Sequence, residues 1–113
     1  MSRDWRLYLD DMRDACRKVL RYTEGLDLDG LRRDEKSYDA VVRNLEIVGE
    51  AAKHVPDDVR QRSPHVDWRR IAGLRDVIAH AYFGIDDLVL WDVVAHKVPS
   101  LLAALDRLAE EEA

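Results

Sequence analysis

The sequence predicts an all-α fold, an antiparallel four-helix bundle with room for one short extra helix. Three observations carry that reading. Apolar residues recur at the helical i, i+3, i+4, i+7 spacing in four separate segments. No segment alternates polar and apolar residues with the period of a strand. The 113 residues include only 5 Gly, 3 Pro and 1 Phe, poor material for turns and sheets and good material for helices. Hydrophobic residues at 47% and charged residues at 36% can fill a core and still solvate a surface, which excludes a disordered chain. A chain of this length supports a single domain over 1–113 and leaves little room for a second core.

The first helix is read from Trp5, Tyr8, Leu9, Met12, Ala15, Cys16, Val19 and Leu20, one stripe that ends near Tyr22. Residues 23–36 are polar, contain Gly25 and Gly30, and read as a connection with one short helical turn. Ser37 is the N-cap expected for the second helix, because its hydroxyl can accept from a free first-turn amide. That helix runs through Val41, Val42, Leu45, Val48, Ala52 and Val55 until Pro56 stops it. Residues 57–64 allow one turn. Asp67 then caps a third helix with Ile71, Leu74, Val77, Ile78 and Ala81 inward, closed by Phe83-Gly84. Asp86 caps the fourth, in which Leu88, Trp91, Val94, Val98, Leu101, Leu102, Leu105 and Leu108 point inward and Pro99 imposes a kink. Connections this short favour antiparallel neighbours.

Composition narrows the function. Cys16 stands alone, so an internal disulfide and a cysteine zinc site are excluded, which suits a reducing, cytoplasmic location. Neither a secretion signal nor a membrane span is expected, since nowhere do about 18 apolar residues follow one another. A formal charge of -5 and a pI near 5.3 argue against gripping nucleic acid through the overall field. The acidic total nevertheless conceals a basic strip: Arg60, Arg62, Arg69, Arg70 and Arg75 face Asp67 alone between residues 59 and 75. Such a strip suits a solvated face or a local phosphate-binding patch.

Of the 4 histidines, His54, His65 and His96 have no evident chemical partner in the sequence. His54 sits at a helix end, where the carbonyl termini favour it. His80 differs, standing in Gly73-Leu-Arg-Asp-Val-Ile-Ala-His-Ala-Tyr-Phe-Gly84 within about two helical turns of Arg75, Asp76 and Tyr82. Asp76 and His80 are i and i+4, so the carboxylate can hold the imidazole by one nitrogen and raise its basicity. Arg75 adds a planar, permanent cation suited to phosphate oxygens. Together these are a proton shuttle and a charge stabiliser, what cleavage of a phosphodiester beside a 2′-hydroxyl requires. Metal-ligand spacing is absent, and no cofactor is implied.

Geometry limits this reading. At about 100° per residue, Arg75 and Tyr82 project nearly together while Arg75 and His80 lie about 140° apart. Arg75 and His80 can meet on one phosphate only if the helix ends or distorts near Ala79, or if the second residue comes from another subunit. The same spacing also suits a surface arginine, a capping Asp–His pair and a tyrosine packed at the bundle end. Glu50, near the buried stripe, is expected to anchor a buried polar contact with Arg43 or Asn44, and Gly49 to permit close helix approach.

The run Arg75-x4-His80-x-Tyr82 resembles the Arg-x4-His-x-Tyr signature of HepT-like toxins, a branch of the HEPN superfamily. Arg43-Asn-Leu-Glu-Ile-Val-Gly-Glu-Ala-Ala52 is similar to that family's second-helix block, Trp68 to Leu74 to its third-helix entry, and Phe83-Gly-Ile-Asp86 with Trp91 and Pro99 to its closing segment. The resemblance runs from about Arg3 to Leu108. It implies a HEPN-like helical bundle that forms a homodimer, with the two Arg-x4-His motifs meeting at the interface. It also implies metal-independent cleavage of an RNA substrate, with His80 as acid–base, Arg75 on the phosphate and Asp76 as helper. Tyr82 matches the tyrosine adenylylated by a cognate minimal nucleotidyltransferase antitoxin. A non-catalytic helical partner, or a nucleotide-binding regulatory subunit, of a nucleotidyltransferase is the alternative; it would show no cleavage for His80→Ala to remove.

Overall fold

Four of the helices begin where an aspartate side chain accepts from a free first-turn amide. The computed structural model describes residues 4–82 and 87–112, the side chains of 80–82 excepted. α1 (Trp5–Tyr22) is capped by Asp4, which accepts from the Arg6 amide at 3.0 Å, and buries Leu9, Met12, Ala15, Cys16 and Val19. The short α2 (Leu28–Arg33) is capped by Asp27 at 2.7 Å from the Gly30 amide and buries Leu31. α3 (Glu35–Ala52) starts two residues before the Ser37 expected to cap it. Asp34 caps instead, accepting from both the amide and the hydroxyl of Ser37, at 3.2 and 2.8 Å. A carboxylate outcompetes a hydroxyl here because it carries charge and two acceptors.

α3 ends at Ala52, short of Pro56, because Arg60 reaches back to its carbonyl end. Its guanidinium donates to Ala52 O at 2.7 Å and Val55 O at 3.0 Å, satisfying carbonyls that a helix end leaves without partners. Arg60 belongs to the single turn α4 (Asp57–Arg60), and the Trp68 indole donates to Arg60 O and Ser63 O at 3.1 and 3.2 Å. The expected third helix is two: α5 (Trp68–Ala72), capped by Asp67 as anticipated, and α6 (Leu74–Tyr82), separated at Gly73. Phe83-Gly84 and the Asp86 cap lie outside the described residues.

The last helical run, Asp87–Glu111, comprises α7 (Asp87–Asp92), a π-helical turn (Val93–Lys97) and α8 (Val98–Glu111). Pro99 offers no amide to the carbonyl of Ala95 and its ring crowds that oxygen, so the turn before it widens. The extra residue in that turn shifts the upstream face. Leu90, Val93 and Val94 are buried, whereas Leu88, expected inward, is 72% exposed. This 25-residue run has the length and apolarity of a membrane span by composition alone. Its stripe of Leu90, Val94, Val98, Leu101, Leu105 and Leu108 is buried in the core shared with α1 and α3.

α1 packs between α3 and α8, and the opposite side of α3 carries α5 and α6. No strand is found among the described residues. The tightest junction is at Gly49, where a Cβ would stand 3.2 Å from Ile71 O and 3.4 Å from Leu74 Cβ. The missing side chain lets α3 and the α5–α6 corner touch through backbone, the close approach expected of this glycine. Gly49→Val should therefore lower stability by about 1–3 kcal/mol through overpacking, seen as a lower denaturation midpoint with the helical circular dichroism retained.

Cys16 is fully buried, and burial, with the charge of Asp106 adding to it, pushes its thiol from an ordinary 9.0 to about 12. The folded chain thus holds the neutral thiol where the unfolded chain ionises. Stability should fall as pH rises from 9 toward 12, and Cys16→Ser, whose hydroxyl does not titrate there, should flatten that slope. An aromatic disulfide reagent should label Cys16 only on unfolding.

Candidate functional site

Gly73 ends α5, and the first turn of α6 carries Arg75 and Asp76 out of the core on the residues next to buried Leu74. Arg75 is exposed on the ridge between two grooves. One, of about 440 Å³, runs along α3 past Tyr8, Asp11, Ile47 and Lys53; the other, of about 480 Å³, lies between Tyr38, Val42, Ile78 and Ala79. Arg43 and Glu46 line both, with Arg43 Nη1 3.6 Å from Glu46 Oε2. Arg75 makes no hydrogen bond or ion pair among the described residues. An exposed guanidinium in that condition presents its donors to whatever anion enters either groove.

Asp76 points elsewhere. It lines a third groove, of about 840 Å³, with His65, Arg69, Arg70, His96 and Lys97 on the other flank of α6. Arg75 and Asp76 are thus held on different faces, as consecutive helical residues must be. The backbones of His80 and Tyr82 belong to α6, while their side chains lie outside the described residues. α6 continues through Ala79 to Tyr82, so the helix does not end near Ala79.

The other singled-out residues divide clearly. The His54 ring stacks on Tyr8, with centroids 4.1 Å apart and planes 10° from parallel. His96 has a partner that the sequence reading missed: its Nδ1 lies 3.1 Å from Asp92 Oδ1. The spacing is the same i, i+4 used for Asp76 and His80 and could have flagged it. Glu50 is exposed and pairs with Lys53 at 3.2 Å, so it anchors no buried contact. The helical turn directs it away from the stripe, and buried Asn44 satisfies itself by donating to Ala40 O at 2.8 Å.

Two further features bound the Arg75 face. Asp87 Oδ2 accepts from Arg32 Nε at 2.7 Å, tying the start of α7 to α2. Burial, reinforced by the Asp87 charge, raises the Tyr38 phenol above its ordinary value. The basic strip is also divided. Arg60 caps α3, and Arg62 pairs with Glu112 at 2.8 Å, holding that carboxyl below its usual range. Among the described residues, no three His, Cys, Asp or Glu side chains gather as a metal site would.

A helical domain that carries arginine, aspartate, histidine and tyrosine on one short helix, with the arginine at a groove and without a partner among the described residues, defines a class of candidate phosphate-handling helical domains. Its family follows from comparison. Residues 12–108 match the model of the family described as "Ribonuclease HepT-like", and the chain belongs to that family. It is 38% identical over 108 residues to a "Probable ribonuclease HepT" of Thermococcus cleftensis, covering 96% of this chain and 98% of that one. A "Putative RNase" of Methanocaldococcus jannaschii is 34% identical over 110 residues, covering 97% and 91%. Another, from Caldanaerobacter subterraneus subsp. tengcongensis, is 31% identical over 107 residues, covering 95% and 96%. No solved structure matches the chain significantly.

Proposed function

We propose that this chain is the toxin of a type VII toxin–antitoxin system, a cytoplasmic, metal-independent endoribonuclease. The observation that carries the reading is the exposed Arg75, without a partner among the described residues, at the start of α6 in a member of a ribonuclease family. In the proposed reaction the 2′-hydroxyl oxygen attacks the adjacent phosphorus and its proton passes to His80. The bond to the 5′-oxygen breaks, and that oxygen leaves with the proton that the His80 imidazolium gives back. Arg75 balances the negative charge that accumulates on the phosphoryl oxygens. Asp76, one helical turn before His80, orients the imidazole. The products are a 2′,3′-cyclic phosphate and a 5′-hydroxyl.

The site is composite in this reading. The unbroken course of α6 supports it, because Arg75 and His80 stay about 140° apart on one helix and a two-fold axis brings Arg75 of one copy to His80 of the other. Tyr82 is the acceptor of an adenylyl group from the cognate nucleotidyltransferase. Its phenol oxygen attacks the α-phosphorus of ATP and pyrophosphate leaves. The added phosphate would pair with Arg75 and occupy the place of the RNA phosphate.

Cleavage should survive chelator, and Arg75→Ala or His80→Ala should each slow it by about two or more orders of magnitude; full activity in both variants sinks the assignment. Mixing the two inactive chains tests the composite site. Heterodimers carry one intact Arg75–His80 pair, so about a quarter of normal activity should return, whereas a site within one chain stays dead. Co-expression with the nucleotidyltransferase should add the mass of AMP at Tyr82, and Tyr82→Phe should remain toxic. An unmodified Tyr82 in a neutralised complex would mean that the partner inhibits by covering the cleft.

A further inference from the structure

Arg69 and Arg70 have no role in the site just described. Both are exposed and, unlike those of Arg60 and Arg62, neither guanidinium makes a hydrogen bond or ion pair among the described residues. Both line the groove of about 840 Å³ from α5, and Lys97, likewise unpaired, lines it from the π-helical turn. The groove also holds three carboxylates, so its formal charge is balanced, but their commitments differ. Asp67 accepts from the Arg70 amide at 3.1 Å and Asp92 lies against His96 at 3.1 Å. Asp76, the third, is the carboxylate assigned to the His80 imidazole in the proposed reaction. Three long cationic side chains without a partner among the described residues therefore face carboxylates that each have another commitment.

The rest of the lining is not that of an ion site. Leu88 and Val89 are exposed apolar residues, 72% and 41%, and the exposed His65 and His96 add two flat imidazole rings to the lining. Long cations beside apolar and flat surfaces match a single strand, in which phosphates and unstacked bases are both available. A duplex hides its base faces, and an acidic protein surface has no use for the flat ones. Asp76 in this groove and Arg75 on the next are consecutive residues of α6, so a strand crossing the first turn of α6 passes from one groove to the other.

We propose that this groove holds single-stranded RNA flanking the scissile bond, with Arg69, Arg70 and Lys97 on its phosphates. That this strand is a substrate rests on the ribonuclease reading; its binding does not. The test uses the full chain carrying His80→Ala, to keep RNA intact, and the anisotropy of a labelled oligouridine across a salt series. Adding Arg69→Gln, Arg70→Gln and Lys97→Gln should weaken binding at least about tenfold and flatten the logarithmic salt dependence by about two, the effect of three lost phosphate contacts on a single strand. Lys18→Gln, Lys36→Gln and Arg107→Gln, which remove the same charge outside the groove, should leave the slope unchanged. Equal affinity and slope in the groove variant, or an equal loss in the control, overturns the proposal, the second by assigning the attraction to net charge. Unchanged RNA binding with loss of a protein partner would reassign the groove to that partner. If the chain without the His80 change cleaves no RNA while the groove variant still loses binding, the ribonuclease reading fails and the groove stands. If the groove variant with His80 restored cleaves with unchanged KM, the groove fails and the reading stands.

Discussion

The contact between α3 and the α5–α6 corner at Gly49 is the constraint on which the rest depends. With Ile71 O 3.2 Å from where a Cβ would stand, the two backbones meet without side chains between them. That closeness puts the start of α6 beside the exposed flank of α3. Buried Leu74 and Ile78 then lock the rotation of α6. Arg75, immediately after Leu74, has no choice but to emerge on the ridge above Arg43 and Glu46. A thicker junction would separate α6 from α3 and dissolve both grooves that Arg75 borders.

The arginines illustrate how one residue type serves different ends according to its surroundings. Arg60 finds carbonyl oxygens at a helix end and becomes part of the fold; Arg62 finds Glu112 and ties the end of the last helix to the loop after α4. Arg13 and Arg17 share Asp106 across α1 and α8 at 2.9 Å. Arg69, Arg70 and Arg75 find no partner among the described residues. Exposed ion pairs stabilise little, so the informative arginines are those without a partner among the described residues, three of which lie on α5 and the first turn of α6.

Local rules were sufficient wherever neighbours in sequence are neighbours in space. Asp4 and Asp67 cap as carboxylates before apolar stripes do, and the stripe of α1 is buried as its spacing requires. The rules were insufficient where two local signals competed. Asp34 and Ser37 are both N-cap types three residues apart, and the charged one wins. Pro99 announced a disturbance, but whether it becomes a bend or a widened turn depends on the core packed against it. The π-helical turn keeps Val94 and Val98 in that core and releases Leu88.

The sequence by itself determined the all-helical class, the position of nearly every helix, and the clustering of Arg75, Asp76, His80 and Tyr82 within two turns, because helix period and capping are short-range properties. It also carried the family likeness, since that rests on residue identities. Tertiary structure decided which charges are free. Whether Arg60 or Arg69 is available to a ligand depends on what the folded chain brings within hydrogen-bonding distance. It also decided that Arg75 and Asp76 open onto different grooves, because the neighbours of an exposed helix face are set by packing across the whole chain and leave no trace in local spacing.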